Sequence, residues 1–217
     1  MDMEQARYNM VEQQIRPWDV LDQDVLDLLF KVKREEFVPA KYRELAFSDI
    51  EIPLGQGQYM FSPKLEARVL QEIELNSGDK VLEVGTGSGY LTALLAQQAQ
   101  HVYSVERIPE FKIHAELKLK SHGIHNVTLD IGDAARGWPR HGPYNVIVIT
   151  GSLPLPPDNF VPSLAPNGKI FAIIGEAPVM QAKLIRCAGP GQCHAVTLFE
   201  TSVPPLVNAP APERFIF

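Results

Sequence analysis

Apolar positions follow two different periods along this chain, and the changes from one to the other mark out its elements. From Asp19 to Val32, the residues Val20, Val25, Leu26, Leu28, Leu29 and Val32 recur at helical spacing with Asp and Gln between them, which predicts an amphipathic helix. The next stretch, REEFVPAKYRELAFSDIEIPLGQGQYMFSP, is punctuated by Pro39, Pro53, Gly55, Gly57 and Pro63 and predicts a folded loop region with no long regular element. Structured loops of that length in compact domains are usually functional. Ser62 and Pro63 then signal a helix start, a hydroxyl at the cap and a proline where its missing N–H costs nothing, and Leu65, Val69, Leu70 and Ile73 form the buried stripe that follows. From there the periods alternate. KVLEVG, HVYSVE, NVTLDIGD, YNVIVITG and GKIFAIIG read as strands, with YLTALLAQQA and FKIHAELKLKSHG as helices between the first three. Short apolar runs separated by helices predict parallel strands covered on both faces, a doubly wound α/β sheet. After Gly175 two further strands, AKLIRCA and CHAVTLFETSV, are joined at Gly189-Pro190-Gly191 and predict an antiparallel closing hairpin. The last residues, with Pro210 and Pro212, read as an irregular tail.

Composition narrows the class. A chain of 217 residues, 45% hydrophobic, is long enough for a full core and predicts a single domain across residues 1–217. Within it, 1–62 is the helical and loop segment, 63–206 the α/β core and 207–217 the tail. The formal net charge of −6, with no run of Lys and Arg, argues against nucleic acid as a partner, since phosphate binding needs a clustered basic face. No apolar run reaches membrane-spanning length and the N-terminus MDMEQARYNM is polar, which predicts a cytoplasmic protein with no membrane partner. In that compartment the two cysteines, Cys187 and Cys193, are expected as reduced thiols. The 6 histidines show no ligand spacing, so no metal is implied.

The candidate chemistry lies in VLEVGTGSGYLTALLA, residues 81–96, where a strand runs into Gly85, Gly87 and Gly89 and then straight into a helix. In an open parallel sheet, ligands bind beyond the carboxyl ends of the strands, and glycine lets a ligand lie against bare backbone. The spacing is G-x-G-x-G rather than the G-x-G-x-x-G of dinucleotide folds, so a pyrophosphate is not the indicated ligand. Glu106 ends the next strand, where a carboxylate accepts from both ribose hydroxyls of a nucleoside, and Asp133 ends the third, placed for the exocyclic amine of an adenine. Glu83 adds a third acid. Three carboxylates repel phosphates and suit a cationic, adenosine-bearing ligand, a description that S-adenosylmethionine fits.

These motifs resemble the protein-L-isoaspartate O-methyltransferase family. The similarity extends from about residue 7 to about residue 206, through MVEQQIRPWDVLDQDVLDLLFKVKREEFVP, AFSDIEIPLGQGQ, VYSVERIPEF, IGDAARGWP and SLAPNGKIFAIIG. The resemblance implies a seven-stranded, mostly parallel Rossmann-like methyltransferase sheet with an N-terminal helical segment. It also implies S-adenosylmethionine as cofactor and, as substrate, an isoaspartyl carboxylate in a damaged protein or peptide. By position, Glu83, Gly85, Gly87 and Gly89 would hold the methionine end of the cofactor, Glu106 the ribose and Asp133 with Ala134 the adenine, with Thr86 and Arg107 as further cofactor-binding residues. The oligomeric state stays open, a monomer among the options.

The chain departs from the family pattern in mild ways at Ala134, usually glycine, and at Asn145, usually aspartate. The larger departure is in the substrate loop, Gln58, Tyr59, Met60, Phe61, Ser62, Pro63, Lys64: Phe61 stands where the family has its active-site serine and Tyr59 where it has threonine. Ser62 is the candidate replacement hydroxyl, set against its ordinary reading as a helix cap. Two alternatives therefore remain open beside isoaspartyl methylation: transfer to a different small-molecule acceptor, or a cofactor-binding protein that no longer catalyses.

Overall fold

The computed structural model describes residues 2–189 and 191–212. Of the sequence features singled out above, Pro190 of the hairpin turn and residues 213–217 of the tail lie outside the described residues.

Seven strands form the central sheet. They are β3 (Lys80–Val84), β4 (His101–Glu106), β5 (Val127–Ile131), β6 (Tyr144–Leu153), β7 (Leu164–Glu176), β8 (Val179–Gly189) and β9 (Gln192–Thr201), in the order β5-β4-β3-β6-β7-β8-β9. Pairing is parallel from β5 through β7 and antiparallel for β7–β8 and β8–β9. The mostly parallel sheet with an antiparallel C-terminal hairpin is thus the architecture that the sequence predicts. Strand β3 pairs with β4 on one side and with β6 on the other, so the strand order reverses at β3 and a crevice opens beyond its carboxyl end.

Helices α2 (Gln23–Lys31), α3 (Pro63–Ile73), α4 (Tyr90–Gln98) and α5 (Pro109–Ser121) contribute to one core, together with Val81, Val102, Val146 and Phe171 of the sheet. The opposite face carries Leu82, Val84, Ile147, Ile149 and Ile170. Its cover comes from elsewhere than the α-helices: Phe160 and Val161 of a 3₁₀ turn, Trp138, and Leu206 and Ala209 of the C-terminal segment. Neighbouring strand positions face opposite cores because side chains alternate along a strand.

The N-terminal part departs from or adds to the sequence reading in three places. Asp19 sits at φ 59 after a 3₁₀ turn, so the helix expected from Asp19 begins at Gln23, capped by Asp22, whose carboxylate accepts from Asp24 N at 2.9 Å. Helix α1 (Met3–Asn9) runs on into a π-helical turn, Met10–Ile15. The stretch expected to hold no long regular element contains a short antiparallel hairpin, β1 (Ile52–Gly55) and β2 (Gln58–Met60), turning through Gln56 and Gly57, both at positive φ.

The cysteine expectation is overturned. Cys187 and Cys193 are joined in a disulfide, because the β8–β9 register sets them directly opposite each other with Cα atoms 4.1 Å apart. A separation of six residues across a tight turn is what brings the two thiols face to face.

Candidate active site

At the end of β3 the chain enters the glycine loop. Gly85, Gly87 and Gly89 all have positive φ, 98°, 52° and 82°. Gly87 N–H donates to the Glu106 carboxylate at 2.8 Å, and Ile108 N–H donates to its other oxygen at 2.9 Å. Glu106 at the tip of β4 is therefore fixed by two backbone bonds, and its remaining lone pairs are left for a ligand. Gly89 serves the packing of the helices instead. It is the residue before α4, and a Cβ there would stand 3.0 Å from that of Ala115, so its bare backbone permits close approach of α4 to α5.

One cavity opens beside this loop, and it is lined both by the loop and by the β1–β2 hairpin. Its lining includes Gly85, Thr86, Gly87, Glu106, Arg107, Asp133 and Ala134, which brings together seven of the residues the sequence singles out for the cofactor. The same cavity is also lined by Gln58, Tyr59, Met60 and Phe61 of β2 and its continuation, and by Pro204–Val207 of the C-terminal segment. Tyr59 is half exposed at the rim, whereas Phe61 is buried.

Four predicted site residues are placed elsewhere. Gly89 packs as just described. Glu83 is fully buried on the α4 side of the sheet, one strand position from Leu82 and Val84 on the other face, and accepts from the hydroxyls of Thr92 at 2.5 Å and Ser104 at 2.6 Å. Ser104 is also within 2.6 Å of the Thr86 hydroxyl, so Glu83 is linked to the glycine loop through Ser104. Burial pushes its carboxyl up to about 8, the two hydroxyls pulling the other way, and its Oε1 is buried without a partner. Ser62 has the extended backbone of a cap position, yet its hydroxyl makes no capping bond and does not line the cavity. Lys64 pairs with Asp49 at 2.7 Å and lies over the Trp18 ring at 3.9 Å, off the cavity.

Next to Phe61 lies a buried ionic cluster that sequence reasoning missed. Arg34 donates from Nε to the Ala46 carbonyl at 2.8 Å and from Nη2 to the Phe61 carbonyl at 2.7 Å, pairs through Nη1 with Glu66, and stacks over the Tyr90 ring at 5.1 Å. Glu66, also buried, lines the cavity. Burial raises its carboxyl, against the pull of Arg34. The only sequence signal was an acid inside the apolar stripe of α3. The C-terminal wall gave none, since proline pairs and isolated apolar residues carry no period. In the fold, residues 203–206 run beside the end of β6: Ser152 N donates to the Pro204 carbonyl at 3.0 Å, and Leu206 N to the Ser152 carbonyl at 2.9 Å.

The residues present fit S-adenosylmethionine. Gly87 leaves bare backbone at the loop, where even a Cβ would press to 3.1 Å on Leu54 of β1. Glu106 and Asp133 line the crevice at the ends of neighbouring strands, without a clustered basic face against them.

The protein-L-isoaspartate(D-aspartate) O-methyltransferase family model matches residues 5–208. This chain belongs to that family. It is therefore an S-adenosylmethionine-dependent methyltransferase. Relatives named protein-L-isoaspartate O-methyltransferase include one from Gloeobacter violaceus, 36% identical over 92% of this chain and 97% of its own length. Another, from Aeropyrum pernix, is 37% identical over 94% of this chain and 80% of its own. Among solved structures, a Plasmodium falciparum protein-L-isoaspartate O-methyltransferase candidate in complex with S-adenosyl-L-homocysteine superposes with a TM-score of 0.78 at 20% identity, covering 95% of this chain and 98% of that one, a likeness of fold. Among the described residues no helix is long and apolar enough to cross a membrane.

Proposed function

We propose that this methyltransferase esterifies the free carboxylate of L-isoaspartyl residues in damaged proteins or peptides, the first step of their repair. The observation that carries the reading is the shared cavity: the glycine loop with Glu106 and Asp133, suited to adenosine, and the β1–β2 hairpin line one space. Bound S-adenosylmethionine supplies a methyl group on a cationic sulfur. A carboxylate with a pKa near the ordinary value of about 4 is already ionised at neutral pH and needs no base to become the nucleophile. The protein's part is orientation and the exclusion of water, effects that are large when reacting atoms are held near attack distance.

In this reading Glu106 accepts from the ribose hydroxyls, Asp133 takes the adenine amine beside Ala134, and the backbone of Thr86 and Gly87 runs along the methionine end. Phe61, buried and held by Arg34 through its carbonyl, forms the acceptor wall where the family pattern has a hydroxyl. Orientation there comes from apolar packing and from backbone groups.

The test is methyl transfer from labelled S-adenosylmethionine to an isoaspartyl peptide, run beside the matching aspartyl peptide, with cofactor binding followed by calorimetry. Selective labelling of the isoaspartyl peptide is the expected result. Tight cofactor binding without transfer to either peptide would instead favour a different acceptor, for which the aromatic wall of Tyr59 and Phe61 would be the reason.

A further inference from the structure

The C-terminal strap, residues 203–209, is fastened at two points, one at Ser152 near the end of β6 and one at Asp133 in the cavity lining. Its first anchor is the pair of backbone bonds to Ser152, with Ser152 Oγ also donating to the Val203 carbonyl at 3.2 Å. Pro204–Val207, which include this first anchor, line the cavity. A turn closed by Ala209 N to the Leu206 carbonyl at 3.1 Å then sets Asn208 in the left-handed region, φ 63, where asparagine is one of the few side chains tolerated. From there the Asn208 amide donates to Asp133 Oδ2 at 2.5 Å, across 75 residues of sequence. The other oxygen, Oδ1, accepts from Ala135 N at 3.0 Å. These two bonds hold the Asp133 carboxyl below the usual carboxylate range, Asn208 being the larger influence.

We propose that Asn208 is a positioning residue that couples two parts of the cavity lining: it latches the strap, one wall of the acceptor site in this reading, to the carboxylate that receives the adenosine end of the cofactor. The inference rests on the cofactor placement given under the proposed function. A carboxylate offers about four acceptor sites, so Asp133 can hold Asn208 and a ligand amine together. A ligand on Asp133 fixes a carboxylate that is otherwise exposed, and the strap then closes onto a partner already ordered. Because such coupling is reciprocal, an acceptor seated against Pro204–Val207 favours the cofactor by the same factor.

The experiment compares the wild-type chain with Asn208→Gly, which removes the amide while keeping the left-handed backbone. S-adenosyl-L-homocysteine affinity is measured by calorimetry, amide exchange at Val203 and Leu206–Ala209 with and without that ligand, and isoaspartyl-peptide affinity in both conditions. In the wild type the ligand should slow exchange across the strap and tighten peptide binding about fivefold or more, the lower range of allosteric coupling. In Asn208→Gly the ligand should bind about 2- to 10-fold more weakly, the worth of one hydrogen bond. Its protection of the strap and its effect on the peptide should both disappear. Equal ligand affinity and equal strap protection in the two proteins would overturn the proposal, as would a wild-type strap whose exchange ignores the ligand. If the ligand protects the strap in the wild type alone while no isoaspartyl peptide binds, the latch stands and it is the substrate reading that fails.

Discussion

Arg34 reaches the carbonyl oxygen of Phe61 at 2.7 Å, and through that one bond the residue in the place of the family's serine is tied to a buried cation. The same guanidinium holds the Ala46 carbonyl and Glu66, so the 3₁₀ region and the start of α3 meet on one buried side chain.

Removing that side chain should cost more than its packing. Arg34→Met leaves Glu66 buried and uncompensated, and breaking a buried pair from one side typically costs about 3–5 kcal/mol. Urea unfolding should show a loss of that size, whereas the double variant Arg34→Met with Glu66→Leu should recover most of it. A double variant as unstable as the single one would show that the carbonyl bonds, not the charge pair, carry the energy.

The cofactor end makes a different demand. Glu106→Ala removes the acceptor of two backbone N–H groups as well as the proposed ribose contact. S-adenosylmethionine should bind about 1–3 kcal/mol more weakly by calorimetry, the range for hydrogen bonds to a charged group. Gly87→Val should abolish binding, because it adds a branched side chain where a Cβ already meets Leu54 at 3.1 Å and imposes φ 52 on a residue that resists it. Retained binding in Gly87→Val would place the ligand away from the loop.

Stability should fall as pH rises from about 5 to about 8. The Glu83 carboxyl has its ordinary value of 4.5 in the unfolded chain and is pushed up to about 8 when buried, so between those values the folded protein holds a proton that the unfolded chain has released. The unfolded state then binds fewer protons, and unfolding is favoured by each increment of pH, to a total of a few kcal/mol at most. Glu83→Gln should reduce this slope in urea titrations at pH 5, 6, 7 and 8. A slope unchanged by Glu83→Gln would mean that Glu83 is ionised in the folded state.

At the acceptor wall, exchanging Phe61→Ser together with Tyr59→Thr restores the hydroxyls of the family pattern. With the fold intact by circular dichroism, kcat/KM for an isoaspartyl peptide should rise several-fold, since well-placed groups at the reacting atom contribute through orientation. No gain would show that the aromatic wall already aligns the acceptor, or that the acceptor is another molecule.

The course of the chain from Lys80 to Glu106 was legible in the sequence because every signal in it is local. The strand period, the glycines and the helix period follow one another within 27 residues, and Glu106 falls at a strand end by counting alone. Glu83 adjoins the glycines in sequence, but the alternation of the strand turns its side chain to the α4 face, which sequence adjacency alone does not reveal. The disulfide was hidden by a question of register: Cys187 and Cys193 meet only if the hairpin pairs them directly opposite, which composition cannot say. The β1–β2 hairpin was obscured by Pro53 and two glycines, and the strap by its prolines. Arg34, Glu66 and Asn208 act across 27 to 75 residues of sequence, a distance at which one sequence read alone offers no pattern.

Two walls of the cavity come from residues near 60 and residues near 205, with the whole parallel sheet made in between. On the ribosome, then, the glycine loop and Glu106 are synthesised long before the second wall emerges. A chain halted short of residue 203 would carry the crevice for its methyl donor but would have an open flank, and nothing to close it against water. On this architecture the cavity beside the glycine loop gains its last lining residues, Pro204–Val207, only after the whole sheet has been made.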